Sequence, residues 1–313
     1  MKLVTYRSSD PPHAAEYHVG ALIANDTHIL DFREALAAQG DDEGLPRNPV
    51  AWLDLDRPWL RRAASLATEI ESSDAAMDRA RQAGWLVRPE AVRLGPVVPA
   101  PRKVICIGLN YRDHAAESGS PVPDRPVVFS KFPTAVVGPE EPVVLPPTSE
   151  KVDYEAELAV VIGRRAKRVP RERAFEYVLG YANFNDVTAR DFQFGDGQWQ
   201  RGKSCDTFGP IGPWIVMRDA VADPHRLGIA LRLNGATMQS SSTSNMIFGV
   251  PELIAFLSET ITLEPGDIIA TGTPPGVGFA RKPPVFLKPG DVMEVEVEGL
   301  GVLRNPVVAA DHA

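Results

Sequence analysis

The stretch VDYEAELAVVIG, residues 152–163, places Asp153, Glu155 and Glu157 at every second position and then turns wholly apolar. Alternate side chains of a strand share a face, so the three acids lie on one side and Tyr154, Ala156 and Leu158 on the other. From Leu158 to Ile162 both faces are apolar, the pattern of a strand covered on both sides. A chain with this strand has to bury part of an acidic edge. A buried carboxylate is costly unless it is paired, protonated or bound to a metal. Two readings are open on these residues alone: a solvated strand end whose acids pair with Lys151, Arg164 and Arg165, or a cation site.

The rest of the chain sets the fold class. From Lys103 onward most segments read as short, turn-punctuated strands, among them KVICIGL, PVVFSK, PVVLP, YVLGYANFN, GPWIVM, IALRLNG, DIIATG and DVMEVEVEG. Strands outnumber helices, which favours a rolled or sandwiched β-domain over a doubly wound sheet. LEPGD and LKPGD each precede a strand and read as type II turns. The first stretch, KLVTYR, HVGALIA and HILDF, predicts a small sheet with turns at SSDPPH and ANDT. A helical region follows, with REALAAQ, an acidic break at GDDEG and an amphipathic run from about Trp59 to Gly84, a cap of its own. The proline cluster LGPVVPAP, residues 94–101, cannot continue a helix or a central strand. The chain thus reads as α+β, mostly β, with a small α+β domain over 1–95 and a catalytic domain over 96–313.

Composition narrows the function classes. A 44% hydrophobic content is ample for a core, and a net charge of −8 without a long Lys/Arg run argues against nucleic acid or an anionic membrane as partner. A small molecule is the expected ligand. The start MKLVTYRSSDPPH has no apolar leader, and no stretch approaches the roughly 20 apolar residues of a membrane span, so a cytoplasmic protein is expected. Cys106 and Cys205 are too few for a disulfide framework or a cysteine zinc site, and Cys106, inside KVICIGL, is expected to pack as a small hydrophobe.

Several constellations carry chemistry. Asp186 ends a strand pattern in YANFNDVTARDFQ, either as the N-cap of a short helix or as a ligand; Asp186, Arg190 and Gln193 are spaced to share one helical face. Two alternate strand carboxylates with one from a strand end suit Mg²⁺ or Mn²⁺. In LNYRDHAAESG, His114 and Glu117 are three apart, so on a helix the carboxylate orients and polarises the imidazole as a general base; Asp113 is a candidate cap, and the Gly/Pro-rich SGSPVPDRP that follows is the kind of loop that closes over a site. Three carboxylates and a divalent ion leave one negative charge, which Arg190 and Lys203, the latter in RGKSCDTFGP, would correct for an anionic substrate. TGTPPGVG, residues 271–278, lacks the ending of a phosphate loop and reads as a tight turn exposing backbone N–H groups and the Thr271 and Thr273 hydroxyls.

Together and in this order, GLNYRDHAAESG, VDYEAELAVVIG, GYANFNDVTARDFQ, RGKSCDTFGPIGPW and DIIATGTPPGVG resemble the fumarylacetoacetate hydrolase family over roughly residues 103–308. DGQWQRGKSCDTF and RKPPVFLKPGD are most similar to its mitochondrial and bacterial domain-containing members. The resemblance implies the family's β-roll and a homodimer with the site near the interface. It implies Glu155, Glu157 and Asp186 as ligands to Mg²⁺ or Mn²⁺, with Asp153 a strand-edge or supporting acid. It further implies His114 and Glu117 as a water-activating pair on a lid, Lys203 as the oxyanion charge, and Arg190, Gln193 and Thr273 as substrate contacts. The implied reaction is cleavage of a C–C bond in a 2,4-dioxo acid of acylpyruvate type. Oxaloacetate-type decarboxylation and isomerisation of a hydroxydienedioate in aromatic catabolism are the alternatives, and a non-catalytic metal binder is the reading outside enzymes.

Overall fold

Residues Ala156–Ile162 form a strand with every residue buried, as its two-sided apolar pattern requires. The computed structural model describes residues 1–8, 16–40, 44–119 and 121–310. The turn expected at SSDPPH, the break at GDDEG and the loop SGSPVPDRP lie wholly or partly outside these residues. Ala156–Ile162 runs antiparallel to Val178–Asn185 on one side and to Ile268–Ala270 on the other, in the middle of a 12-stranded sheet. Beyond Ile268–Ala270 come Val104–Gly108, parallel, and Val127–Lys131 at the edge. In the other direction lie Gly209–Met217, Lys2–Ser8, His18–Ile23, His28–Asp31 and Leu86–Val87.

The two faces of the central strand serve two cores. Leu158, Val160 and Ile162 pack with Leu231, Val295 and Leu303 of a five-stranded sheet, whose order is Ala236–Ser242, Gly228–Leu233, Val292–Val297, Val302–Ala309, Val143–Leu145. Ala159 and Val161 join a second cluster with Leu60, Leu66 and Ile70 of the helix Pro58–Glu71. Each such large aliphatic side chain contributes about 1.5–3 kcal/mol by leaving water. Glu155 and Glu157 continue the line of Ala159 and Val161, so the acids lie at the end of an apolar face.

Most expected strands form, and the differences have local causes. The run from Trp59 to Gly84 is two helices, Pro58–Glu71 and Asp74–Gln82, because Ser73 leaves helical geometry and caps the second by accepting from the Ala76 amide at 3.2 Å. No helix starts at Thr188. Thr188–Ala189 instead pairs with Val152–Asp153, and the helix begins at Arg190. The sheet expected for the first residues is not separate, since Lys2 and Leu3 sit opposite Val216 and Ile215 of Gly209–Met217. Cys106 is wholly buried, and burial pushes its thiol well up. No helix of the described residues is long and apolar enough to cross a membrane.

Candidate active site

Pairing of Ala156 with Asn185 sets Glu155 opposite Asp186, whose amide donates to the Glu155 carbonyl at 2.9 Å. Register thus gathers the acids: Glu155, Glu157 and Asp186, all buried, bring one carboxylate oxygen each within 4.8 Å of one another. Asp186 caps no helix; the cap position of the following helix is Ala189. Lys203 Nζ donates to Glu155 Oε2 at 2.6 Å and to Asp186 Oδ2 at 2.7 Å. Arg190 donates to Glu155 Oε1 at 2.5 Å and to Asp153 Oδ2 at 2.9 Å, and its third nitrogen reaches Gln193 Oε1 at 3.0 Å.

Lys131, unmarked in the sequence reading, is the third buried cation, 2.5 Å from Asp186 Oδ1 and 2.9 Å from the Val187 carbonyl. It closes the strand Val127–Lys131, whose residues pass from exposed at Val127 and Val128 to buried at Lys131. With all four acids ionised, Asp153, Glu155, Glu157 and Asp186 outnumber Lys131, Arg190 and Lys203 by one charge. A divalent ion would reverse that sign.

The carboxylates differ. Burial alone would raise Glu155, but Arg190 and Lys203 outweigh it and hold its carboxyl down to about 2. Glu157 is pushed well above the carboxylate range by burial and by the charges of Asp186 and Glu155. It accepts only the Gly272 amide, at 2.8 Å, among the bonds found to its side chain. An all-oxygen set with one carboxylate lacking a cation fits a hard divalent ion, which would be held by Glu155, Glu157 and Asp186.

His114 lies on the helix Arg112–Ser118, with Nδ1 3.2 Å from Glu117 Oε2. Asp113 does not cap this helix; its Oδ2 accepts from Ser241 at 2.6 Å and Asn245 at 2.9 Å, tying the helix to the five-stranded sheet. The Gly-rich segment 271–279 differs from expectation. Its amides are directed at acids: Gly272 at Glu157, Gly276 at Glu117 at 3.0 Å, Gly278 and Phe279 at Asp153 at 2.6 and 3.1 Å. A Cβ on Gly278 would sit 2.0 Å from the Val285 carbonyl and 2.6 Å from Asp153 Oδ1, so only glycine allows this approach. The Thr271 hydroxyl is spent on the Leu158 carbonyl at 2.8 Å, whereas Thr273 accepts from Gln239 at 2.8 Å. A cavity of about 200 Å³ is lined by His114, Glu155, Glu157, Arg190, Gln193, Lys203 and Thr273. Glu117 and Asp186 are not in that lining but bond to His114 and Lys203, which are. A larger hollow of about 680 Å³ along Val127–Lys131 contains none of these residues.

Residues 103–308 match the family described as fumarylacetoacetate (FAA) hydrolase C-terminal. The chain belongs to the fumarylacetoacetate hydrolase family. Among its relatives is a Bos taurus protein named oxaloacetate tautomerase FAHD2A, mitochondrial, 45% identical over 98% of this chain and 92% of that one. The Homo sapiens protein of the same name is 43% identical over the same shares. Family members of known structure include the fumarylacetoacetate hydrolase of Exiguobacterium antarcticum, with a TM-score of 0.79, 35% identity and 99% of both chains covered. The 5-carboxymethyl-2-hydroxymuconate delta-isomerase of Mycobacterium smegmatis superposes with a TM-score of 0.73 at 32% identity, over 99% of this chain and 100% of that one. The family fold is thus the mostly-β architecture expected, and these relatives are named as enzymes.

Proposed function

We propose that the chain is a divalent-metal-dependent enzyme that interconverts the enol and keto forms of a small 2-oxo acid, with oxaloacetate as the type substrate. The observation that carries this reading is the His114–Glu117 pair on the same cavity as the buried carboxylates and their cations. The oxaloacetate tautomerase names of relatives aligned over 98% of the chain support the substrate.

In the reaction the enol loses its hydroxyl proton and gains one at the adjacent carbon, so no atom is added or lost. Mg²⁺ or Mn²⁺ held by Glu155, Glu157 and Asp186 would supply Lewis-acid stabilisation of negative charge on the oxo oxygen. Arg190, Gln193 and Thr273 orient the substrate carboxylate, and Lys203 keeps the base of the cavity positive toward an anion. His114, held through Nδ1 by Glu117, moves the proton at carbon, a role worth about 10²–10⁴ in rate.

C–C hydrolysis of an acylpyruvate is the second reading. It is favoured by the same pair, which suits taking a proton from water, with Lys203 then steadying the oxyanion. A homodimer belongs to the proposal, supported by the open edge strand Val127–Lys131 with Val127 and Val128 exposed, as does the cytoplasmic setting, although the relatives are named as mitochondrial. The division into a small domain over 1–95 and a larger one over 96–313 also belongs to the proposal, with the two sharing the 12-stranded sheet through Lys2–Ser8 and Gly209–Met217.

The test is turnover by metal-free and Mg²⁺- or Mn²⁺-loaded protein on enol-enriched oxaloacetate and on acylpyruvates, followed by ultraviolet absorbance and product analysis. Loss of the enol without pyruvate formation supports tautomerisation. Pyruvate from oxaloacetate alone moves the reading to decarboxylation, and pyruvate from acylpyruvates to hydrolysis. Metal-dependent stabilisation without turnover on any oxo acid leaves a binding protein.

A further inference from the structure

Beside its ionic base the cavity has an aromatic lining that a compact acid does not use. Four rings contribute, Phe129, Phe194, Trp199 and Phe279. They form two edge-to-face pairs: Phe129 with Trp199, centroids 5.3 Å apart at 74°, and Phe194 with Phe279, 5.8 Å apart at 66°. One ring of each pair touches a cation of the base. Lys203 Nζ lies 4.9 Å from the Phe129 centroid, and Arg190 Cζ 4.4 Å from that of Phe279. The rings therefore begin where the charged base ends.

Two further observations bear on what they meet. Phe194 is 61% exposed, and Gly108 leaves room for the indole of Trp199, because a Cβ there would sit 2.7 Å from Cζ3. Singly exposed apolar residues are ordinary, but four rings from separate segments on one cavity are not scattered. Among the described residues lining the cavity, Arg190 and Lys203 are the only Lys or Arg, and both are held against Asp153, Glu155 and Asp186. No lining cation is left for a carboxylate at the far end of a long substrate. Burying that charge against the rings without a partner is costly.

We infer that the aromatic lining is a subsite for a flat, apolar tail, and that the enzyme takes 2-oxo acids bearing an aryl or alkenyl group at the far end as well as compact ones. This rests on the base of the cavity being a 2-oxo acid site. It sets the chain apart from an isomerase of dienedioates, whose tail ends in a carboxylate.

The test compares pyruvate, phenylpyruvate and a 2-hydroxydienedioate as competitors of oxaloacetate turnover by the Mn²⁺-loaded protein, with quenching of tryptophan fluorescence as a direct binding readout. Phenylpyruvate should bind about tenfold tighter than pyruvate, as an aromatic contact plus its buried area provides, and the dienedioate more weakly than phenylpyruvate. Phe194→Ala and Trp199→Leu should each lower the phenylpyruvate-to-pyruvate affinity ratio about threefold or more, and Phe194→Tyr should restore it. Equal affinity for pyruvate and phenylpyruvate, tighter binding of the dienedioate, or an unchanged ratio in both variants would overturn the inference. Tail-dependent binding without oxaloacetate turnover would uphold the subsite and sink the tautomerase reading instead.

Discussion

Lys131 and Asp186 form an ion pair with both side chains wholly buried, Nζ to Oδ1 at 2.5 Å. Removing one partner of such a pair leaves a charge without compensation, at a typical cost of about 3–5 kcal/mol. Lys131→Met should therefore destabilise the metal-free protein strongly, softened by Lys203 on the other oxygen, and the loss should be smaller with Mn²⁺ present. Urea denaturation with and without the ion measures both. Wild-type stability in the variant would show that Lys131 does not balance Asp186.

His114 sits on a short helix, not in either core. His114→Ala should lower turnover about 10²–10⁴-fold while changing stability by less than about 1 kcal/mol. Glu117→Gln keeps an oxygen for the Gly276 amide but loses the charge facing Nδ1, so its loss should be smaller. Steady-state kinetics beside thermal melts separates these effects, and full activity in His114→Ala refutes the proton-carrier role.

Glu157 offers a trade between stability and function. Its folded-state proton affinity is raised by burial and by Asp186 and Glu155. A raised carboxyl favours the fold at low pH and costs stability as pH rises through the folded value. Glu157→Gln removes that cost while keeping an acceptor for Gly272. The metal-free variant should melt about 2 °C or more above wild type near pH 8 and lose that advantage in acid, while losing the Mn²⁺-induced rise in Tm. A variant that still responds fully to Mn²⁺ would exclude Glu157 as a ligand.

Asp153 fixes Arg190 on one side and the amides of Gly278 and Phe279 on the other. Asp153→Asn should raise KM several-fold with a smaller change in kcat if Arg190, which Asp153 orients, holds the substrate as proposed. Gly278→Ala forces a Cβ into the Val285 carbonyl and should destabilise by about 2 kcal/mol or more, read by chemical denaturation.

A separate pH effect belongs to the amino-terminal strands. His18 is raised by its hydrogen bond to Asp31, outweighing burial. Burial would raise Asp31, but bonds from His18, Tyr6 and the Glu34 amide hold it down. The histidine's contribution is full below its unfolded value and fades as pH rises through the folded one, and the aspartate's fades in acid. His18→Gln should thus cost about 0.5 kcal/mol near pH 5.5, since His18 is partly exposed, and less near pH 8.5. Paired melts across that range decide it.

The acidic strand was legible because alternation and a following apolar run are visible at short range. His114 with Glu117, and Arg190 with Gln193, were legible because helical spacing makes each a local pair. Lys131 was not, since its task depends on Asp186, which meets it only when the sheet closes. The same holds for the hydroxyl of Thr271, which is consumed by the Leu158 carbonyl of a distant strand, and for the four rings, each an ordinary aromatic in its own segment. Resemblance marked the individual residues, whereas the balance of charge among them emerges only from register.

The sheet pairing of Lys2 with Val216 sets an order of events during synthesis. The strand Lys2–Ser8 has this partner among residues made far later, so the pairing must wait while the intervening chain emerges. Among the described residues its other strand neighbours are His18–Ile23 and Val92–Leu94. The 12-stranded sheet is thus completed only once Gly209–Met217 has arrived to join Lys2–Ser8 to Val178–Asn185.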